Sequence, residues 1–387
     1  MAEGIALTAC LLVFGSRCHA QVNAMEGTSQ VGQTRGTSIV PVAHPRVYAD
    51  GRPAARFRLD AKDHGVVLRH GERPDGCDVY GARDVWVWEH RDTLYMHYDG
   101  AGRKGWLSCL AVSTDALHWT TKGPVLELGP KGERDAASAS YGLVFQEGDS
   151  WHMFYLGTPN TSPAPELIPA FPYLTMKAEG PGPAGPWTKR YDVEPFAPRP
   201  GTYYSVTASP GYILRKRGEY RMFFSASTDR PILRTIGIAR TRDLNGRWQV
   251  DEQPIVPPGE QVENSSMYYQ ETSGTWFLFT NHVGVRDGLE YTDAIWVYWT
   301  NDPERWDPAN KAIVLDRENC RWSKEIIGLP SVVRIGERLA LFYDGHAGEG
   351  IPPGAASHMQ RDVGLAWLDL PLIVATRRTT SSPSRSH

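Results

Sequence analysis

The chain has 387 residues, with 41 basic and 44 acidic side chains and a formal net charge of −3. That balance leaves no global electrostatic footprint for nucleic acid or an anionic membrane. The length suits one domain with a sizeable core and flanking segments better than two domains, and a neutral or small partner is expected.

The N-terminus differs from the rest. Residues 5–15 read IALTACLLVFG, followed by SRCHA and a polar Gly/Thr/Ser-rich stretch. This order predicts a secretory signal peptide over 1–20, cleaved after Ala20, and a flexible segment over 21–45, although MAEG lacks the usual Lys or Arg. The expected location is therefore secreted or periplasmic. Leu7–Cys10 has the look of a lipoprotein box, but the apolar stretch before it is too short. No other apolar run approaches the ~18 residues of a membrane span. Beyond the leader the cysteines are Cys77, Cys109 and Cys320. They have no CxxC or zinc spacing, at most one disulfide is available, and buried free thiols are expected.

From residue 46 to 374 one phrase recurs five times, at 84–100, 141–157, 210–227, 266–282 and 330–346. Each copy is an apolar, aromatic-rich strand, a turn of charge and glycine, and a second strand ending in aromatics and a small or polar residue. Period-2 alternation and turn chemistry make each a hairpin. Four are followed by a further strand and a tryptophan-bearing edge, which sets Trp119, Trp187, Trp248 and Trp306 at spacings of 68, 61 and 58 residues. A repeated antiparallel unit of about 60 residues is the signature of radial blades. The fold class is all-β, a five-bladed β-propeller. Residues 158–172 carry five prolines and form a long loop between the second and third strands of blade two. GPGPAGP at 180–186 has no following lysine and prolines in place of donors, so it reads as an edge turn. The tail 375–387 is basic and Ser/Thr-rich and is expected to be disordered. No window sustains a helical period with caps.

In a propeller the residues just before the innermost strands crowd together at one mouth of the channel. Blade one enters through Cys77-Asp78-Val79-Tyr80-Gly81-Ala82-Arg83-Asp84, blade two past Asp135, and blade four through Glu263 and Asn264. Blade five enters through Glu325 and returns past His346. Blade three enters through TYYSVTASP, where Tyr204, Ser205 and Thr207 offer hydroxyls but no acid. Most of the 13 Trp and 17 Tyr fall at alternating strand positions and read as packing. Trp86, Trp106 and Tyr204 lie near entrances and are candidate sugar platforms.

On these residues the chain resembles the five-bladed glycosidase superfamily, glycoside hydrolase family 43 with relatives in families 32, 68 and 117. The phrase ARDVWVWEHRDTLYMHY is similar to that family's blade-one opening, with Val85 in place of a proline. The resemblance implies Asp84 as general base or nucleophile and Glu263 as general acid, a pair that glycosidic cleavage requires. It also implies a third carboxylate at blade three, which this chain lacks; Asp135 or Glu325 is the candidate for that charge. Asp78, Arg83, Trp86, Tyr204, Ser205, Asn264, Glu325 and His346 are the expected substrate-binding residues. No cofactor is required and no HExxH, Cys/His cluster or EF-hand loop is present, but by resemblance calcium in the central channel near His346 stays open, as does His346 as an acid. The partner is a carbohydrate, with no nucleic acid; oligomeric state is not readable. Two rivals stand: a glycoside phosphorylase like those of family 130, with Arg83, Arg134 and Arg361 for phosphate, and a non-catalytic propeller that binds glycan or protein.

Overall fold

A computed structural model describes residues 36–73, 76–286, 288–348 and 358–374. The expected leader and the tail 375–387 lie outside the described residues. All five expected hairpins form, and each continues into a third and a fourth antiparallel strand. Blade one is Ala82–His90, Thr93–Gly102, Gly105–Ser113 and Thr120–Pro124. Blade two is Ser138–Glu147, Ser150–Thr158, Leu174–Gly180 and Thr188–Lys189. Blade three is Thr207–Lys216, Glu219–Thr228, Leu233–Thr241 and Gln249–Val250. Blade four is Val262–Gln270, Thr275–Arg286, Leu289–Thr300 and Lys311–Asp316.

Blade five is completed from the other end of the chain. Ser331–Ile335, Arg338–His346 and Arg361–Asp369 supply three strands, and the N-terminal Lys62–Leu68 pairs antiparallel with the last of them. The innermost strands touch in cyclic order, one to two through to five and back to one. The ring is therefore closed, which removes the exposed sheet edges at its centre. Pro258–Glu260 forms a single 3₁₀ turn.

The ordered fold starts earlier than the sequence suggests. Thr37–Ser38 pairs in parallel with Leu372–Ile373, and Val40–Pro41 pairs with Phe57–Arg58, which extends blade four. Ile39 is buried in the core between these pairs. Residues 37–41 thus belong to the propeller and not to a flexible segment, because they pair with Leu372–Ile373 on one side and with Phe57–Arg58 on the other. The cysteine expectation is also corrected: Cys77 and Cys109 form a disulfide, and only Cys320 is a free buried thiol.

The central strands of the blades are covered on both faces, so apolar side chains line both of their sides and alternation decides which neighbour each one meets. In blade five, Leu339, Leu341 and Tyr343 pack with Phe277, Ile295 and Val297 of blade four. Ala340 and Phe342 face the other way, onto Val85 and Val87 of blade one. Each large side chain so buried contributes about 1.5–3 kcal/mol.

Candidate active site

Four of the innermost strands, those of blades one to four, bulge near the same mouth, and in two of them the bulge holds a non-glycine residue in left-handed backbone. In blade one the register slips between Arg83 and Trp86, and Asp84 takes φ +50°. In blade four it slips between Glu263 and Ser266, and Asn264 takes φ +63°. Left-handed backbone is costly for non-glycine residues and persists where neighbours hold it. Here the holder is in each case a side chain on the second strand of the preceding blade. Asp344 Oδ1 accepts the Asp84 N–H at 3.1 Å, and Ser225 Oγ accepts the Asn264 N–H at 2.9 Å. The bulges re-aim the entrance side chains, and Asp84 and Glu263 line one cavity of about 190 Å³.

Glu263 sits in a charged frame. Arg234 Nη1 donates to its Oε1 at 2.8 Å and Asn281 Nδ2 lies 3.4 Å from its Oε2. Arg234 also grips Glu290 with both arms of its fork, at 2.6 and 2.7 Å. Burial pushes the Glu263 carboxyl above the ordinary glutamate value; Arg234 pulls it down, and the negative charges of Glu290 and Asp84 push it up. The net direction is upward, toward a carboxyl that keeps its proton.

Around Asp84 the frame is different. Arg83 Nε lies 3.5 Å from Asp84 Oδ2 and 3.9 Å from Asp99 Oδ2. The Arg83 guanidinium stacks 4.1 Å over the Trp106 ring, and its Nη1 reaches His358 Nδ1 at 2.5 Å. Burial, with Arg83, Arg361 and Arg234 nearby, holds His358 well below the usual imidazole value, so it is a neutral acceptor there. Asp99 is fully buried, accepts the Tyr141 N–H, and is raised well above the carboxylate range, first by burial and then by Asp84.

Insertions close the mouth. The blade-two loop folds on itself as a small hairpin, Asn160–Thr161 against Pro169–Ala170, and Trp106 Nε1 donates to Glu166 O at 3.0 Å. Ile168, Pro169 and Tyr173 of this segment line the cavity, as do Glu290, Tyr291 and Thr292 from the long hairpin of blade four.

The structure brings together four of the expected site residues: Asp84, Glu263, Arg83 and Asn264. Asp78 and Asp135 lie elsewhere, for a shared reason. Each accepts a hydrogen bond from a tyrosine hydroxyl 20 residues later in its own blade, Tyr98 on Asp78 at 2.9 Å and Tyr155 on Asp135 at 2.8 Å. Asp135 is also paired with Lys189 at 2.6 Å and does not line the cavity. These acids pin the entering loop to its blade. Trp86 is packed in the core against Tyr212, and Tyr204 packs on Phe224 beside a separate cavity of about 400 Å³. Ser205 is absent from the residues lining the mouth cavity. Glu325 is 3.6 Å from Arg317 and His346 Nδ1 accepts the Gly348 N–H, and neither lines the cavity; His358 takes the histidine place. Arg361 lines it and Arg134 does not, being paired with Glu194 at 2.6 Å.

Sequence reasoning missed Asp99, Tyr173, Arg234, Glu290, His358 and the supporting Asp344. One signal was available: Tyr-Asp-Gly occurs at both 98–100 and 343–345, the same hairpin position of blades one and five. Among the described residues no group of three or more His, Cys, Asp or Glu side chains converges on a metal position. No step is routed through a calcium ion. No described helix is long and apolar enough to cross a membrane.

No family model matches the chain, and no curated protein matches it. Solved structures do. The catalytic domain of a family 62 α-L-arabinofuranosidase from Coprinopsis cinerea aligns with a TM-score of 0.55 at 13% identity, over 80% of this chain and 96% of that one. A thermostable family-43 glycoside hydrolase aligns with a TM-score of 0.55 at 15% identity, over 81% and 99%. A family 117 glycoside hydrolase of the marine bacterium Zobellia galactanivorans aligns with a TM-score of 0.55 at 12% identity, over 80% and 91%. At such identities the likeness lies in the fold: the chain is a five-bladed β-propeller of the kind on which these glycoside hydrolases are built.

Proposed function

We propose that this protein is a glycoside hydrolase that removes a single neutral sugar from the end of an oligo- or polysaccharide. The observation that carries the reading is the sharing of one cavity by Asp84 and Glu263, with the surroundings of Glu263 raising its proton affinity. Cleavage needs one carboxylic acid to protonate the leaving oxygen and one carboxylate to activate water or attack the anomeric carbon. Glu263 is the acid and Asp84 the carboxylate. As the bond breaks, the Glu263 proton passes to the leaving oxygen and Asp84 either takes a proton from the attacking water or forms the covalent intermediate. A separation of about 6.5–9.5 Å would make the enzyme inverting, and about 5–5.5 Å retaining.

The cavity supports the substrate class. Its volume of about 190 Å³, with Ile168, Pro169 and Tyr173 of the blade-two insertion among its lining, is below the ~300–1,000 Å³ of sites for drug-sized ligands, which suits one sugar ring. Charge argues against the phosphorylase reading. Each arginine that lines the cavity already faces a carboxylate: Arg83 faces Asp84, Arg234 faces Glu263 and Glu290, and Arg361 faces Asp344 at 2.7 Å. A phosphate dianion would have to displace these partners. The expected leader fits action outside the cytoplasm. The test is release of 4-nitrophenol from 4-nitrophenyl glycosides of neutral pentoses and hexoses, beside product analysis on plant and algal oligosaccharides. Monosaccharide release from at least one is expected. Phosphate-dependent release of a sugar phosphate would favour the phosphorylase, and no turnover of any glycoside would favour a binding propeller.

A further inference from the structure

Asp99 lines the catalytic cavity but belongs to no entrance segment. It is on the second strand of blade one, directly across the ladder from Arg83. The bulge at Asp84 turns that residue onto the Asp99 side, so two carboxyl groups meet around one guanidinium, with Arg83 Nε 3.5 Å from one and 3.9 Å from the other. The Oδ1 of Asp99 is occupied by the Tyr141 N–H of the next blade. Its Oδ2 is left facing Arg83, and the Asp99 and Asp84 side chains are within hydrogen-bonding reach of each other.

Two adjacent carboxyls in a dry site do not both ionise; they share a proton. Which one holds it follows from burial. Asp99 is 1% exposed, whereas Asp84 opens to the cavity. The charged groups that face the pair are Arg83 from their own blade, Asp344 with its partner Arg361 from blade five, and Glu263 from blade four with its partner Arg234 from blade three; the neutral His358 lies against Arg83, and Tyr141 of blade two spends its hydroxyl on Pro210 O. Arg361 is spent on Asp344, and Arg234 on Glu263 and Glu290, which leaves Arg83 as the one cation between Asp84 and Asp99.

We propose that Asp99 is a positioning residue that stays a neutral carboxylic acid and donates its Oδ2 proton to Asp84. The donated bond occupies one Asp84 oxygen and leaves the other for water or the anomeric carbon. It also keeps a second negative charge away from Glu263. This rests on the hydrolase reading for its catalytic meaning, but the protonation state does not.

The state is read by infrared spectroscopy at neutral pH. The Glu263→Gln protein removes the Glu263 carboxyl, and its spectrum minus that of Glu263→Gln/Asp99→Asn isolates Asp99, since Asp344 contributes to both. The expected difference is the carbonyl band of a protonated carboxylic acid. A carboxylate band in its place overturns the proposal, whatever the protein turns over. The positioning role is read by kinetics on the 4-nitrophenyl glycosides, with thermal melts to show that each variant is folded. Asp99→Ser, which cannot reach, should lower kcat about 10²-fold, the scale of losing one preorganised donor. It should also move the acid limb of kcat/KM to higher pH, because a carboxylate that loses a donated hydrogen bond holds its charge less well. Asp99→Asn keeps both an N–H donor for Asp84 and an acceptor for Tyr141, and should recover at least about tenfold of that loss. A folded Asp99→Ser protein with an unmoved acid limb, or an Asp99→Asn protein no better than Asp99→Ser, overturns the role. If the wild-type protein cleaves no glycoside, the hydrolase reading fails and the infrared band still decides the state of Asp99.

Discussion

The carboxylate of Asp344, on blade five, accepts the backbone N–H of Asp84, on blade one, at 3.1 Å across the seam where the ring closes. Asp344 is fully buried and held by Arg361, and Gly328 is required beside it because any side chain there would strike its carboxyl. The bond fixes a left-handed Asp84 whose conformation costs roughly 1–3 kcal/mol unsupported. Asp344→Ala should therefore lower kcat by about 10–100-fold, a 1.4–2.7 kcal/mol effect, with KM changed less. Asp344→Asn, which retains an acceptor, should lose less. Steady-state kinetics on an activated aryl glycoside checks both; equal losses in kcat and in substrate affinity would indicate general damage to the mouth.

Replacing Glu263 by Gln removes the proton but not the shape. Turnover of glycosides with poor leaving groups should fall by about 10²–10⁴-fold, the usual scale of general acid catalysis, while activated aryl glycosides lose much less. Because Glu263 is raised above its ordinary value, the alkaline limb of the wild-type profile should report its loss of a proton and should vanish in the variant. A leaving-group-independent loss would remove Glu263 from the acid role.

Asp135 behaves differently if it is a pin. Asp135→Asn leaves the Lys189 ammonium without its buried counter-ion. Breaking a buried pair on one side costs about 3–5 kcal/mol, so the melting temperature should fall while the pH–rate profile keeps its shape. Displacement of the alkaline limb would restore Asp135 to the site.

Stability should depend on pH through buried histidines. Burial lowers His97 and His282 from 6.5 to about 4 each. The folded chain keeps them neutral while the unfolded chain takes up protons, so their contribution is complete above pH 6.5 and is lost as pH falls toward about 4. Melting temperature should be flat near neutrality and decline through that window, and His97→Gln should make the decline shallower. His97 donates from Nδ1 to Gly142 O at 3.0 Å, a bond an amide can keep. A decline of equal steepness in His97→Gln would assign the acid sensitivity to other groups.

Local chemistry made the blades legible. Alternating aromatic strands, charged turns and the tryptophan edges are short-range patterns, and they located every hairpin and the blade-two insertion; the resemblance singled out Asp84 and Glu263 among the entrance acids. The entrance acids looked alike in sequence because the pins and the site residues lie within a few positions of each other: Asp78 is six residues before Asp84, yet one meets Tyr98 and the other the cavity. Only ring closure separates them. The bulges that turn Asp84 and Asn264 are held by side chains from other blades, and Asp99, Arg234, Glu290 and His358 reach the mouth from second and third strands and a loop, where no entrance motif marks them. Periodicity along the chain determined the architecture; packing between blades, which brings together residues as distant as Asp84 and Asp344, decided the site.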